Sequence, residues 1–166
     1  MKKIVLCGVS LAVLLVITLA FVSASPKHSI ARQLDLTLPK AETVAYTDTH
    51  SMIRGEGLTV GSLHFDPDNA AELRRQIEES NAWSPLPLTQ NIGLLMNGGE
   101  LNGITYTDRF AEQYGILDIS NGSYFFWDRL NNTNQDVKLL TRSAFGFTLA
   151  LYDYDTDFLY FFRYDT

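Results

Sequence analysis

An uninterrupted apolar run from Ile4 to Val22, preceded by Lys2 and Lys3 and relieved only by Gly8, Ser10 and Thr18, constrains this chain more than any other feature. A helix of that length reaches about 28 Å, close to the roughly 30 Å hydrocarbon core of a bilayer. A buried core helix is rarely apolar on every face, so the segment reads as one solvated by lipid. Residues 1–24 are therefore expected to form an N-terminal transmembrane anchor or a signal peptide. Val22-Ser23-Ala24 supplies a cleavage pattern of small residues, and Ser25-Pro26 reads as a helix stop. The run exceeds the usual ~7–15 residues of a signal core, which favours the retained anchor. Under either reading Lys2 and Lys3 hold the start of the chain in the cytoplasm and the remainder is delivered outside it. The expected location is the cell membrane with an extracytoplasmic C-terminal domain, or secretion if the segment is cleaved. Cys7, the one cysteine, lies inside the apolar run, so the exported part can form neither a disulfide nor a thiolate metal site.

The chain of 166 residues leaves room for one domain beyond this segment. Residues 25–40, punctuated by Pro26 and Pro39, read as a linker, and residues 41–166 as an extracytoplasmic α+β domain. Lys and Arg number 13 against 19 Asp and Glu, and without Lys2 and Lys3 the balance is 11 against 19. Such an acidic domain lacks the electrostatic footprint that a phosphate backbone selects, which argues against a nucleic-acid partner. The membrane is met through the N-terminal helix alone.

Periodicity fills in the domain. Thr43 to Ile53 and Leu58 to Phe65 flank Arg54-Gly55-Glu56-Gly57 and predict a β-hairpin. Asp66 before Pro67, followed by Ala70, Leu73 and Ile77, predicts a helix of about 14 residues. Trp83 to Leu88 carries two prolines and reads as an extended connector. Thr89 and Thr107 each precede a short apolar stretch and predict short helices ending at Asn97-Gly98 and at Gly115. Gly115 to Ile119 and Ser123 to Arg129 flank Asn121-Gly122, a strong hairpin signal, and Ala144 to Asp153 pairs with Phe158 to Asp165 across Tyr154–Asp157. The sum is an antiparallel sheet of about five or six strands with two or three short helices, an α+β fold.

No catalytic motif and no cofactor fingerprint stands in the sequence. On the first hairpin, Asp48, His50, Ser62, His64 and Asp66 share strand parity. A three-residue loop would set Asp48 opposite His64 and His50 opposite Ser62, a constellation able to hold a divalent metal through Asp48, His50, His64 and Asp66 or to place a serine near an imidazole. A two-residue loop would separate the histidines instead. Asp153, Asp155 and Asp157 alternate as at the start of a calcium loop, but Phe158 and Tyr164 stand where its glycine and bidentate glutamate belong. The aromatic band Tyr124-Phe125-Phe126-Trp127, together with Trp83, offers a stacking surface, with Trp83, Trp127 and Tyr124 as its candidate binding residues.

The Met-Lys-Lys start, Trp83 to Leu88, Gly122 to Arg129 and the terminal Phe147 to Thr166 together resemble small uncharacterised exported or membrane-anchored proteins of Gram-positive bacteria. The resemblance implies a bacterial envelope setting and transfers no mechanism and no functional residue. Two functions follow as expectations. The first is a non-enzymatic, envelope-exposed domain that binds a protein, peptide or cell-wall component through an aromatic, acid-rimmed surface. The alternative is a metal-dependent hydrolase using the His/Asp cluster of the first hairpin.

Overall fold

The computed structural model describes residues 26–51, 53–107, 109–116 and 118–166. The expected membrane segment, residues 1–24, lies outside the described residues. Two compact units divide the chain, residues 1–38 and 39–166. In the first, α1 (Pro26–Leu34) occupies what the sequence suggested was a linker. Pro26 opens this helix, because the first helical residue has no use for the N–H that proline lacks; its expected role in stopping the preceding apolar segment falls outside the described residues. Asp35, at φ 53°, ends it. Among the described residues no helix is long and apolar enough to cross a membrane.

The second unit is an α+β domain built on a six-stranded antiparallel sheet. Its elements are β1 (Thr43–Asp48), β2 (Gly57–His64), α2 (Pro67–Glu79), β3 (Trp83–Pro85), α3 (Gln90–Asn97), β4 (Gly99–Leu101), β5 (Ile104–Tyr106), α4 (Phe110–Gln113), β6 (Gly122–Asp128), β7 (Gly146–Asp153) and β8 (Phe158–Asp165). The strand order is β1-β2-β8-β7-β6-β3, while β4 and β5 form a separate small hairpin. The first and last hairpins meet at β2 and β8, where Leu58 faces Tyr164 and His64 faces Phe158. Every residue of β7 is buried, as a strand deep in a covered sheet requires.

Alternation then sorts side chains between two faces. On one, Phe126, Phe147, Leu149, Leu151 and Phe162 pack with Ile92, Leu95 and Met96 of α3 and with Leu139. The other carries Leu63, Phe125, Tyr152, Leu159 and Phe161, all buried. To this side α2 is tied by Arg74, whose guanidinium contacts the Asp157 carboxylate at 2.5 Å. The helix starts as its sequence dictates: the Asp66 side chain accepts from the Asn69 N–H at 3.0 Å, and Pro67 follows.

Two expected hairpins come out differently. In the first, the strands stop at Asp48 and restart at Gly57, leaving an eight-residue loop, residues 49–56. Polar side chains claim the backbone there: Asp48 accepts from the His50 N–H, and Thr49 Oγ1 from the Leu58 N–H. Local bonds of this kind compete with the ladder. Around Asn121-Gly122, residues 118–120 and 116 are not strand, and β6 pairs with β3 and β7 instead.

Candidate binding groove

A groove opens at the sheet's β3 edge, where the C-terminal end of α2, β3, the start of β6 and the β7–β8 turn come together. Each wall has a local cause. Trp83 pairs with Phe125, and their rings tilt together with centroids 5.9 Å apart. Leu86 donates its N–H to the Gly122 carbonyl at 3.0 Å, and Tyr154 donates to the Asn121 carbonyl at 2.9 Å, so the two turns are stitched to each other. Gly122 is required by this closeness, since a Cβ there would lie 2.2 Å from the Tyr152 carbonyl oxygen.

The resulting hollow, about 440 Å³, is lined by Trp83, Ile77, Pro85 and Leu86 and by the polar side chains of Glu78, Ser120, Asn121, Ser123 and Tyr154. The Ser123 and Tyr154 hydroxyls bond each other at 2.9 Å, and the Asn121 amide donates to Asp155 at 2.6 Å. The Tyr154 ring in turn lies under the Arg74 guanidinium, 5.3 Å from its centroid. Glu78 is exposed. Trp83 is only 8 % exposed, and its indole Nε1 is buried without a hydrogen-bond partner. More than about nine in ten buried polar groups find a partner in folded proteins, so a buried indole N–H left without one in a groove-lining residue is an unusual feature.

The other candidate aromatics do not join Trp83. Tyr124 projects to the opposite face, half-buried beside the α3 cluster. Trp127 shares the face of Phe125 by parity but is half-buried at the far end of β6. The three-residue aromatic surface expected from the sequence is thus not built; the groove recruits Glu78, Ser123, Asn121 and Tyr154 in its place. Nothing in the sequence singled those residues out beyond the Asn-Gly turn itself.

Nor do the hairpin residues converge. Because the loop is eight residues long, Asp48 faces Thr59 and His64 faces Thr43, five positions off the register that would join the histidines. His64 bonds Glu42 at 3.1 Å and rests against the Phe158 ring at 4.8 Å. Asp66 is consumed as the cap of α2, and its hydrogen bonds from Asn69 hold its carboxyl below the usual range. His50 reaches Asp48 Oδ1 through Nδ1 at 2.6 Å and Asp165 Oδ2 through Nε2 at 2.9 Å. Asp165 is also held by Arg129 at 2.7 Å and Arg163 at 2.9 Å. Burial pushes the Asp165 carboxyl up, but the bonds from Arg129 and Arg163 outweigh it and the net direction is down.

With a carboxylate at each ring nitrogen, His50 ties the 49–56 loop to the end of β8. Thr59, whose hydroxyl lies 3.2 Å from His50 Nδ1, is 3 % exposed and out of a substrate's reach. The three turn aspartates are engaged separately. Asp153 accepts from the Thr156 hydroxyl at 2.6 Å, Asp155 from Asn121, and Asp157 from Arg74 and from the Tyr152 hydroxyl at 2.9 Å. Burial, and then Asp157, raise the Tyr152 hydroxyl's pKa. Among the described residues no group of three or more His, Cys, Asp or Glu side chains is placed to hold a metal ion.

Comparison with protein-family models, with curated proteins and with solved structures finds no match.

Proposed function

We propose that residues 39–166 form a binding module acting outside the cytoplasmic membrane, delivered there by the apolar segment of residues 1–24, and that its ligand is a hydroxyl-rich glycan of the cell wall seated in the Trp83 groove. One observation carries the reading: Trp83 lines a solvent-open groove, and its indole N–H, buried beneath that wall, lacks an acceptor within the fold. A sugar hydroxyl is the complementary group. It donates to an acceptor such as the Glu78 carboxylate and accepts from the indole once a small shift of the wall uncovers that N–H, while the apolar surface of Pro85 and Leu86 suits the C–H face of a pyranose. Binding of this kind needs no activated nucleophile.

The full chain carries two tryptophans, so in a Trp127→Phe background the emission of Trp83 alone reports on the groove. Titration with soluble β-1,4-linked N-acetylglucosamine oligomers should shift that emission saturably. Wild-type chain should sediment with isolated cell walls, and Trp83→Phe, which keeps a ring against Phe125 but removes the donor, should sediment at least tenfold less. Equal retention of the two proteins on the walls would reject the groove as the site. A C-terminal reporter found in the cytoplasm would reject the compartment.

A further inference from the structure

On the face of the sheet away from Trp83's ring partner, α3, α4, Ile116, Asp118 and Ile119 border a second hollow of about 280 Å³. Its lining is mostly apolar, with Leu86, Leu88, Met96, Ile116, Ile119 and Leu151 supplying the aliphatic surface. Native interiors pack at the density of organic crystals, and an apolar hollow leaves its lining atoms without partners on one side. Gly93 supplies an independent observation. It lies inside α3 and borders the hollow, where glycine is a poor helix former. Its backbone has no positive φ to excuse it, and a Cβ built on it would meet nothing within 4 Å. No neighbour forbids a side chain there.

The lining carries a single charge. Asp118 is exposed and is the one charged residue among the described residues lining the hollow, which Asn97 also lines. At about 30 Å³ per non-hydrogen atom, the space accepts roughly nine such atoms. We propose that this cleft binds a small cationic amphiphile, its unbranched aliphatic chain of roughly eight or nine carbons lying between Met96 and Ile119 and its amine at Asp118 and Asn97. The cleft shares Leu86 with the Trp83 groove but lies on the other face of the sheet and differs from it in chemistry, and it stands whether or not a glycan binds there.

Of the three methionines, Met96 lines the cleft, so methyl NMR of the full chain in lipid nanodiscs reads occupancy directly and ignores amine dissolved in the bilayer. Titration with n-alkylamines should shift the Met96 methyl saturably. Affinity should rise about fourfold per methylene and stop rising beyond about nine carbons. Octanoate should bind at least tenfold more weakly than octylamine. Gly93→Phe, which projects a ring into the hollow, should abolish the shift. Asp118→Asn, an exposed change that spares the fold, should erase the preference for amine over carboxylate while keeping the dependence on chain length. An unmoved Met96 methyl, equal binding of octanoate and octylamine by the wild type, or affinity that climbs without a plateau would each overturn the proposal.

Discussion

Replacing Asp128 with asparagine removes one negative charge from a site that is 2 % exposed and leaves the side-chain shape almost unchanged. The carboxylate accepts from the Arg142 guanidinium at 2.6 Å, the Asn131 amide at 2.7 Å and the Leu130 N–H at 3.1 Å. It thereby pins residues 129–142 to the end of β6. Arg142 is itself nearly buried, and its Nε and Nη2 already lack partners, so it has no second acceptor to fall back on. Removing one member of a buried pair costs about 3–5 kcal/mol, chiefly through the charge left behind. Arg142 keeps some solvent, so about 3 kcal/mol is the better figure. At roughly 4 °C per kcal/mol that is a drop of about 12 °C in Tm.

Urea unfolding followed by circular dichroism should show the midpoint falling with m unchanged. The acid dependence has a fixed sign. Burial raises the Asp128 carboxyl, but the bonds from Asn131 and Arg142 outweigh it and hold it below the range of an unfolded aspartate, about 3.9. Its stabilisation is complete above that value and is lost as pH falls through the folded pKa, so wild type and Asp128→Asn should converge in acid. Adding Arg142→Met to Asp128→Asn should recover part of the loss, because the orphaned cation is gone. A single mutant within about 1 kcal/mol of wild type, or a double mutant as unstable as the two singles summed, would refute the reasoning.

Two glycines should respond in opposite directions to alanine. Gly122→Ala drives a Cβ to 2.2 Å from a backbone oxygen and should cost about 3 kcal/mol or more by denaturant unfolding, whereas Gly93→Ala, with nothing within 4 Å, should gain about 0.8–1 kcal/mol from helix propensity. Asp165→Asn loosens the bond to His50 that ties the 49–56 loop to β8, so amide exchange across that loop should quicken at least tenfold while β7 stays protected. Chelator added to the full chain should leave Tm within about 1 °C, since the hairpin acids and imidazoles are engaged with protein partners; a fall of several degrees would restore the metal reading.

Much of the scaffold was legible because it rests on local chemistry. Asp66-Pro67 with Ala70, Leu73 and Ile77 marks α2 without reference to anything distant, and Thr89 with Gly98 brackets α3 in the same way. The β7–β8 hairpin was equally plain, since both strands are strongly apolar and aromatic and the turn between them is short and polar. The Asn-Gly signal shows where local reasoning fails. Read at Asn121-Gly122 it predicts a hairpin, yet Gly122 is held there by close approach to the Tyr152 carbonyl and begins β6. The same dipeptide at Asn102-Gly103, with φ of 53° and 76°, does close a hairpin, joining β4 to β5, in a stretch too weakly apolar to announce strands. A turn signal reports that positive φ is tolerated; pairing is decided by which strands have a face to bury.

The histidine cluster failed for a reason that bears on any function read from strand parity. Parity fixes which face a side chain takes only relative to its own strand; which residues meet across the hairpin depends on the sum of the paired numbers, and loop length sets that sum. Here Asp48, Thr49 and Ser51 satisfy backbone groups with their own side chains and end β1 early, so His50 leaves the ladder, folds back on Asp48 and meets Asp165. That partner lies at the other end of the chain, beyond what any spacing rule could connect. The Trp83 groove follows the same logic: its walls come from four separated stretches, and the feature that marks it, an indole N–H lacking an acceptor, exists only after the sheet has closed around it. Scaffold elements rest on nearest neighbours in sequence, whereas a site rests on what remains unsatisfied once all of them have packed.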